Sequence, residues 1–399
     1  MNDMSAGARA RLIGAGYAAQ GLGYAAVVTA LPAFKERQGL SDAFVSAILL
    51  LVCVAAAGGS VVADQVAARW GSRYALAGGL FLVGAGLAGT TVGTPNVAFV
   101  TILLFYGIGL GTVDASLSMQ GVLIQARLGR SVMSRLFAAY TAAAIVAALL
   151  MSGSLASSGA SVAVGTAAAF AVLVGLAGWR AFEPGRTERS SAVHETGGRA
   201  VRRVVWICGM LIFTAFLVDS AVSTWSSVYL KDTLTAGSAT VLGVSLAVAP
   251  LGYAAYQAAV LVSRMVADHM VPRTGRVVLA LGSLAVCGVG CGLVVLIPSI
   301  PAAITGFAIA GIGVGVLVPL AFSAAGEAAA ESSDEVIARV NLFNYGGALL
   351  GAVLLGALSD PIGLRIAFLI PVVGVILTLP LARRLHHLTV AAPAPRPTA

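Results

Sequence analysis

The sequence has little charge for its length. Of its 399 residues only 10% are Asp, Glu, Lys or Arg, while 59% are hydrophobic. An ordinary soluble domain has about 25% charged residues, which cover its solvated surface. We therefore exclude a soluble protein and expect the chain to lie in lipid. Nucleic acid is excluded as a partner, because the basic residues fall in short segments between apolar runs rather than on one face.

Groups that carry enzyme chemistry are also scarce. The four cysteines all lie within apolar runs, which argues against a disulfide framework. Cys287 and Cys291 share a helix face, but the sequence places no His or carboxylate beside them to complete a metal site. The GxxxxGK[ST] pattern of ATP-binding loops is missing from the sequence. We expect no enzyme activity, no metal and no cofactor.

Twelve apolar runs make up most of the chain. A helix needs about 20 apolar residues to cross the hydrocarbon core, and its backbone groups must be paired within the segment. The sequence therefore predicts an all-α membrane protein with twelve transmembrane helices. The runs are 11–33, 42–63, 74–92, 97–121, 136–156, 160–182, 204–230, 239–263, 277–297, 300–325, 340–358 and 362–382.

A polar stretch divides the twelve runs into two sets of six. It predicts an N-terminal six-helix bundle at 1–182, a linker at 183–203, a C-terminal six-helix bundle at 204–382 and a disordered tail at 383–399. Of the 24 basic residues, 20 lie at the N-terminus and in every second loop from it. The positive-inside rule places both termini and the linker in the cytoplasm. We expect a multi-pass protein of a bacterial cytoplasmic (inner) membrane.

The two sets of runs are related by an internal repeat. Residues 60–80 align without gaps on residues 264–284, at an offset of 204. At the same offset, the sequence GIGLG at 107–111 meets GIGVG at 311–315. These matches predict two pseudo-symmetric bundles. Parallel repeats of this kind occur in secondary transporters, where the substrate site lies between the halves near the midplane.

Loop motifs and several span segments resemble a known family. The pattern Asp64-x4-Arg69-x-Gly71-x-Arg73, with its echo from Asp268, is similar to the cytoplasmic loop signature of the major facilitator superfamily. Four segments resemble the fucose-permease-like inner-membrane branch of that superfamily. They are GIGLGTVDASLSMQG (107–121), GRSVMSR (129–135), DSAVSTWSSVYLKD (219–232) and YGGALLGAVLLGALSD (345–360). The resemblance implies the major facilitator fold and transport by alternating access.

Two acidic residues lie deep inside apolar runs, Asp114 in the fourth and Asp219 in the seventh. A charged side chain at the bilayer centre costs about 2.5–3.5 kcal/mol on insertion scales, so such residues mark ion or substrate pathways. No Lys or Arg lies deep in a predicted span to pair with them. We predict proton coupling through Asp219, with Asp114 as a second candidate. The alternative is a protonated Asp that bonds a neighbouring helix for packing.

Polar and aromatic side chains within the apolar runs are candidates for the wall of a substrate cavity. Tyr253, Tyr256 and Gln257 share one helix face because their spacing is i, i+3, i+4. Each such residue alone fits helix packing or interfacial anchoring equally well, but as a set they favour an aqueous cavity. The predicted substrate-binding residues are Gln20, Tyr24, Gln120, Tyr140, Trp225, Tyr253, Tyr256, Gln257, Asn344 and Tyr345.

The repeated loop motif predicts a gate on the cytoplasmic side. An Asp at the end of a helix can bond a loop Arg or a neighbouring helix N-terminus, and breaking that contact would release one half from the other. The alternative is that these loops only fix the topology. The predicted gating residues are Asp64, Arg69, Arg73, Asp268 and Arg273.

These inferences predict a monomeric secondary active transporter that moves a small organic solute and couples it to protons. Within transport, the sequence leaves open whether the protein takes up a nutrient or exports a drug or metabolite. A receptor or scaffold that keeps a transporter fold without transporting is a second class of function. An intramembrane enzyme is disfavoured, because no nucleophile and base are placed together.

Overall fold

The computed structural model describes residues 5–129, 132–184, 199–241, 244–328 and 333–388. Most of these residues are helical, and the helices follow the predicted apolar runs. The first half holds α1 (Ala6–Gln38), α2 (Asp42–Trp70), α3 (Ser72–Thr90), α4 (Asn96–Leu128), α5 (Met133–Ser157) and α6 (Ala160–Gly178). The second half holds α7 (Arg199–Val228), α8 (Ala249–Thr274), α9 (Arg276–Leu296), α10 (Ile300–Ala328), α11 (Ser333–Ile362), α12 (Leu364–Ala367) and α13 (Leu369–Ala382).

The helices have the lengths and apolar character of membrane spans. Within the described part of the chain, nine segments are long and apolar enough to cross a membrane, and one of them joins α12 and α13 over Leu364–His386. Three further long helices, α1, α3 and α8, bring the number to twelve. The predicted twelve-helix membrane fold is confirmed. A 3-10 helix at Arg383–Leu388 occupies the start of the segment that the sequence assigned to a tail.

One predicted span begins later than its apolar run. The first third of the run 239–263 forms an antiparallel hairpin of β1 (Ser238–Val241) and β2 (Val244–Ala247), and α8 begins only at Ala249. A turn precedes the hairpin. Thr235 has a positive φ there, and a glycine follows two residues later. The hydroxyl of Ser152 in α5 donates to the carbonyl of Ala247 over 2.6 Å, so the hairpin also contacts the first half.

The turns that carry the loop motif have the same backbone conformation in both halves. Gly71 ends α2 with φ 100° and ψ 149°, and Gly275 precedes α9 with φ 77° and ψ 154°. Both conformations lie at positive φ, where a side chain is strained. The repeat seen in the sequence therefore extends to the backbone of the turn.

Close helix packing repeats at the same offset of 204 residues. A Cβ added to Gly107 would lie 2.8 Å from the carbonyl oxygen of Val52, and one added to Gly311 would lie 2.5 Å from that of Tyr256. Glycine thus lets α4 approach α2, and α10 approach α8, with backbone against backbone. Both halves are built on the same pair of tight contacts.

We expect alanine at two equivalent glycines to destabilise the protein. A Cβ at Gly111 would meet the carbonyl of Ala56, and one at Gly315 would meet that of Val260. Overpacking of this kind costs about 1–3 kcal/mol, so G111A and G315A should each lower the melting temperature in detergent.

The matched controls are alanines at the equivalent pair Gly78 and Gly282, where a Cβ meets nothing within 4 Å. Alanine is favoured over glycine inside a helix by about 0.5–1 kcal/mol, so G78A and G282A should leave the melting temperature unchanged or raise it. Equal melting temperatures for all four variants would show that the α2–α4 and α8–α10 contacts tolerate a side chain.

Short loops join consecutive helices, so neighbouring helices run in opposite directions. We call the face that holds the start of α1 and the end of α13 the terminal face, and the other the opposite face. The halves meet where α1 contacts α7, α2 contacts α11, and α5 contacts α8 and β2. The site is built along these boundaries.

Candidate functional site

Asp219 lies at the boundary of the halves and is held by α8. The Tyr256 hydroxyl donates to Asp219 Oδ1 over 2.6 Å, and the Gln257 amide donates to the Tyr253 hydroxyl over 2.9 Å. Both tyrosines are fully buried, whereas Asp219 is half-buried. The predicted face of α8 therefore forms, and it holds the intramembrane carboxyl of α7.

Tyrosines from both halves surround this carboxyl. Tyr24 of α1 lies beside Thr224 of α7 and within electrostatic range of Asp219. Tyr140 of α5 lies within the same range of Tyr24, Tyr253 and Asp219. Together with Tyr106 and Tyr256 these residues form a group that we call the tyrosine cluster (Tyr24, Tyr106, Tyr140, Tyr253 and Tyr256). It offers aromatic surface with a few hydroxyls, as small-molecule sites do.

Tyr106 of α4 belongs to the cluster although sequence reasoning missed it. It lies within electrostatic range of Tyr24 and Tyr253, and its buried hydroxyl has no hydrogen-bond partner in the described structure. A buried polar atom without a partner calls for an explanation such as a ligand or ordered water. The available signal was a tyrosine inside an apolar run, directly before the GIGLG motif.

Asp114 is held by the first half. The Gln20 amide of α1 donates to Asp114 Oδ1 over 2.9 Å, and Ser118 donates to the Asp114 carbonyl. Asp114 lies in the middle of α4 and is nevertheless exposed. Its partner belongs to α1, which also contacts α7 of the second half.

A basic residue lies closer to Asp219 than the sequence led us to expect. Arg264 of α8 is within electrostatic range of both Asp219 and Tyr256. The sequence placed Arg264 one residue beyond the predicted span 239–263. In the structure α8 continues to Thr274, so Arg264 lies within the helix rather than after its end.

The other predicted substrate residues lie away from the cluster. Trp225 is fully buried, and its indole N–H donates to the carbonyl of Ala352 in α11 over 2.8 Å. Asn344 is half-buried and Tyr345 is exposed. Tyr24, Tyr140, Tyr253, Tyr256 and Gln257 thus gather around Asp219, and Gln20 holds Asp114, whereas Gln120 and Trp225 bond other partners.

Gln120 belongs to a buried network at the terminal face. Its amide donates to Ser72 Oγ and to the Glu183 carbonyl, and its carbonyl accepts from the Glu183 N–H over 2.8 Å. The Glu183 carboxylate pairs with Arg127 at 2.7 Å and Arg9 at 3.4 Å. The sequence placed Glu183 in the linker, but the residue is buried and fixes three helices of the first half. Residues 185–198 of the predicted linker lie outside the described residues.

The predicted gating residues lie along the terminal face. Asp64 and Arg69 are exposed on α2, and Arg273 is exposed at the end of α8. Arg73 donates to the Tyr74 hydroxyl over 2.9 Å and stacks 4.6 Å above its ring. The side chain of Asp268 lies outside the described residues. Gating by these residues stays a prediction.

Ion pairs join the two halves at the opposite face, where sequence reasoning predicted no contact. Lys35 at the end of α1 pairs with Asp42 at the start of α2, and with Asp232 of the second half at 2.5 Å. Asp232 lies in a π-helical turn, Tyr229–Thr233, that continues α7. Ser359 of α11 donates to Asp42 over 2.9 Å. We call Lys35, Asp42 and Asp232 the ionic lock.

Comparisons with known proteins agree with this architecture. The family model of the Major Facilitator Superfamily matches residues 13–252 and 233–398. An uncharacterized MFS-type transporter of Yersinia pestis is 28% identical over 353 residues, which cover 87% of this chain and 88% of the relative. An uncharacterized transporter of Sinorhizobium fredii is 28% identical over 284 residues, covering 69% and 71%.

Among solved structures, a bacterial homolog of the human lysosomal transporter Spinster, in an inward-facing and occupied conformation, superimposes with a TM-score of 0.73. The two chains are 13% identical, and the match covers 96% of this chain and 98% of the other. A likeness at this identity shows the fold alone. By its family match, its transporter relatives and its twelve-helix architecture, this chain belongs to the major facilitator superfamily.

Proposed function

We propose that this transporter moves a small organic solute by alternating access and couples the movement to protons at Asp219. The observation that carries the proposal is the position of the carboxyl. Asp219 lies inside the bundle, accepts a hydrogen bond from Tyr256, and is surrounded by tyrosines of both halves. A carboxyl at a moving boundary changes its surroundings in every cycle, and its affinity for a proton changes with them.

The tyrosine cluster supports a solute site at the same place. Aromatic rings supply apolar contact area, while the amides of Gln20 and Gln257 supply a few polar groups. Asp114 is exposed and bonds Gln20, which lies one helical turn before Tyr24 on α1. We infer that solute and proton occupy neighbouring positions, so that each changes the free energy of binding the other.

The ionic lock supports a particular conformation. Lys35 links the halves at the opposite face, and Ser152 of α5 bonds the hairpin of the second half at the same face. The positive-inside pattern assigns the terminal face to the cytoplasm. We infer that this conformation is closed to the outside and open to the cytoplasm, in a monomer of a bacterial inner membrane. The Spinster homolog, solved inward-facing, has the same fold.

We propose uptake of a nutrient as the first of two directions of transport. Export of a drug or metabolite is the alternative within transport.

Binding and transport are tested in two steps. A thermal-shift screen of sugars, amines and carboxylic acids identifies a stabilising solute, and counterflow in proteoliposomes then measures whether the solute exchanges across the membrane. We expect exchange, and we expect Y140A to weaken the thermal shift of the solute at least tenfold in concentration. The control is Y74F, which alters a tyrosine at the terminal face. Binding without counterflow would contradict transport and favour a receptor.

A further inference from the structure

Three serine hydroxyls in α7 have no hydrogen-bond partner in the described structure. They belong to Ser223, Ser226 and Ser227, which are exposed by 1%, 0% and 0%. We call them the hydroxyl row. A buried hydroxyl without a hydrogen-bond partner costs about 1–3 kcal/mol of folding free energy. Three of them in one helix therefore point to a partner such as ordered water.

Hydroxyls in other helices of the protein bond within their own helix. Thr29, Thr101 and Thr166 each donate to the carbonyl four residues earlier, at 2.6, 2.8 and 2.8 Å. Ser60 and Ser157 do the same. This bond is the usual solution for a hydroxyl within a helix. The serines of the hydroxyl row do not make this bond. Buried polar groups that lack a protein partner are commonly bonded by ordered water.

The row leads from the carboxyl to the opposite face. Asp219, Ser223 and Ser227 are spaced i, i+4, i+8, so they follow one another on the same side of α7. Successive members are about 6 Å apart along the axis, a gap that two waters span through hydrogen bonds of about 2.8 Å. Beyond Ser227 the π-helical turn carries Asp232 to the ionic lock.

A cleft opens at the opposite face four residues beyond Ser227. It has a volume of about 390 Å³ and is lined by Lys35, Lys231 and Asp232, among others. Leu230 packs against Gly252 of α8 beside the row. The ionic lock therefore separates the cleft on its outer side from the unpartnered hydroxyls on its inner side.

We propose that the hydroxyl row holds a file of water molecules that brings protons from the opposite face to Asp219, with the ionic lock as its stopper. The proposal rests on the proposed proton coupling at Asp219. A hydronium ion in the cleft would pass one proton to the first water, each water would hand one proton to the next, and the Asp219 carboxylate would become a carboxylic acid. No other group is consumed, since the waters reorient afterwards. With the lock closed, the file of waters stops before it reaches the cleft. Asp219 then exchanges protons only with the cytoplasmic side, to which this conformation is open.

Proton leak in the absence of solute tests the proposal. Proteoliposomes carry pyranine inside and are clamped at zero potential with valinomycin and potassium, and the rate of internal acidification after an external acid step is measured. Wild type should hold the gradient. K35A removes the stopper, and we expect it to leak at least tenfold faster. Adding S223A and S227A, or D219N, should return the leak to the wild-type rate.

Thr101 supplies the matched control, because its hydroxyl is already satisfied within α4. K35A with T101A should leak as fast as K35A alone. A leak in K35A that survives loss of both serines would overturn the row as the route, and a tight K35A would overturn the lock as stopper. K35Q repeats the test if K35A does not purify as a monodisperse protein. Because no solute is present, these failures remain distinct from a failure of counterflow, which concerns transport itself.

Discussion

D219N abolishes pH-gradient-driven accumulation of the solute in proteoliposomes and leaves solute counterflow in place. Asparagine has nearly the shape of aspartate and can still accept from the Tyr256 hydroxyl, which lies 2.6 Å from Asp219 Oδ1. It cannot bind and release a proton. Driven accumulation should therefore fall to the level of empty liposomes, while exchange at equal pH continues.

Two variants serve as controls for this expectation. D219E restores a titratable carboxyl and should recover part of the driven accumulation. D360N removes a carboxylate that accepts from the Ala43 N–H at the opposite face, and should leave driven accumulation near wild type. If D219N still accumulates the solute against its gradient, Asp219 is not the coupling residue, and D114N becomes the variant to measure next.

K35A opens the opposite face. Lys35 pairs with Asp42 and Asp232, and its side chain is only 13% exposed. Removing it leaves two carboxylates without their shared cation, and their repulsion then favours separation of the halves. A change of about 1–3 kcal/mol shifts the population of the open state by about 5–150-fold.

Labelling of a buried position measures that shift. Ser46 lies one helical turn after Asp42 on α2, packs against Gly356 of α11 and is 1% exposed. In a C53A background, S46C should react with a membrane-impermeant maleimide at least ten times faster when K35A is added. K231Q, which changes the basic neighbour of Asp232, is the matched control and should leave the rate low. Equal rates in both variants would mean that the lock does not hold the face closed.

The sequence was sufficient for the architecture and for part of the site. The lengths of the apolar runs predicted the helices. The internal repeat at an offset of 204 residues predicted that the packing of α2 against α4 recurs between α8 and α10. The i, i+3, i+4 spacing placed Tyr253, Tyr256 and Gln257 on one face, and that face meets Asp219. These features follow from local periodicity, which a single sequence contains.

Contacts between distant segments could not be predicted in this way. Lys35 and Asp232 are separated by 197 residues, and Asp42 and Ser359 by 317. Glu183 looked like linker, because its neighbours are polar, yet it fills a gap between Gln120 and two arginines. The helix α8 extends beyond the end of its apolar run to Thr274 and so includes Arg264. Composition does not predict which loops contact each other, because those contacts depend on how the two bundles pack together.

The shared packing of the halves has a consequence for how the molecule could have diverged. Gly109 approaches the backbone nitrogen of Val83 in one half as Gly313 approaches that of Cys287 in the other, so a duplicated unit has kept its framework. The carboxyls do not follow this symmetry. Asp114 lies on α4, its counterpart at the same offset is Val318, and Asp219 lies on α7. The two copies have equivalent helix packing but different functional side chains. Replacing one half by a second copy of the other would therefore preserve the fold and lose half of the site.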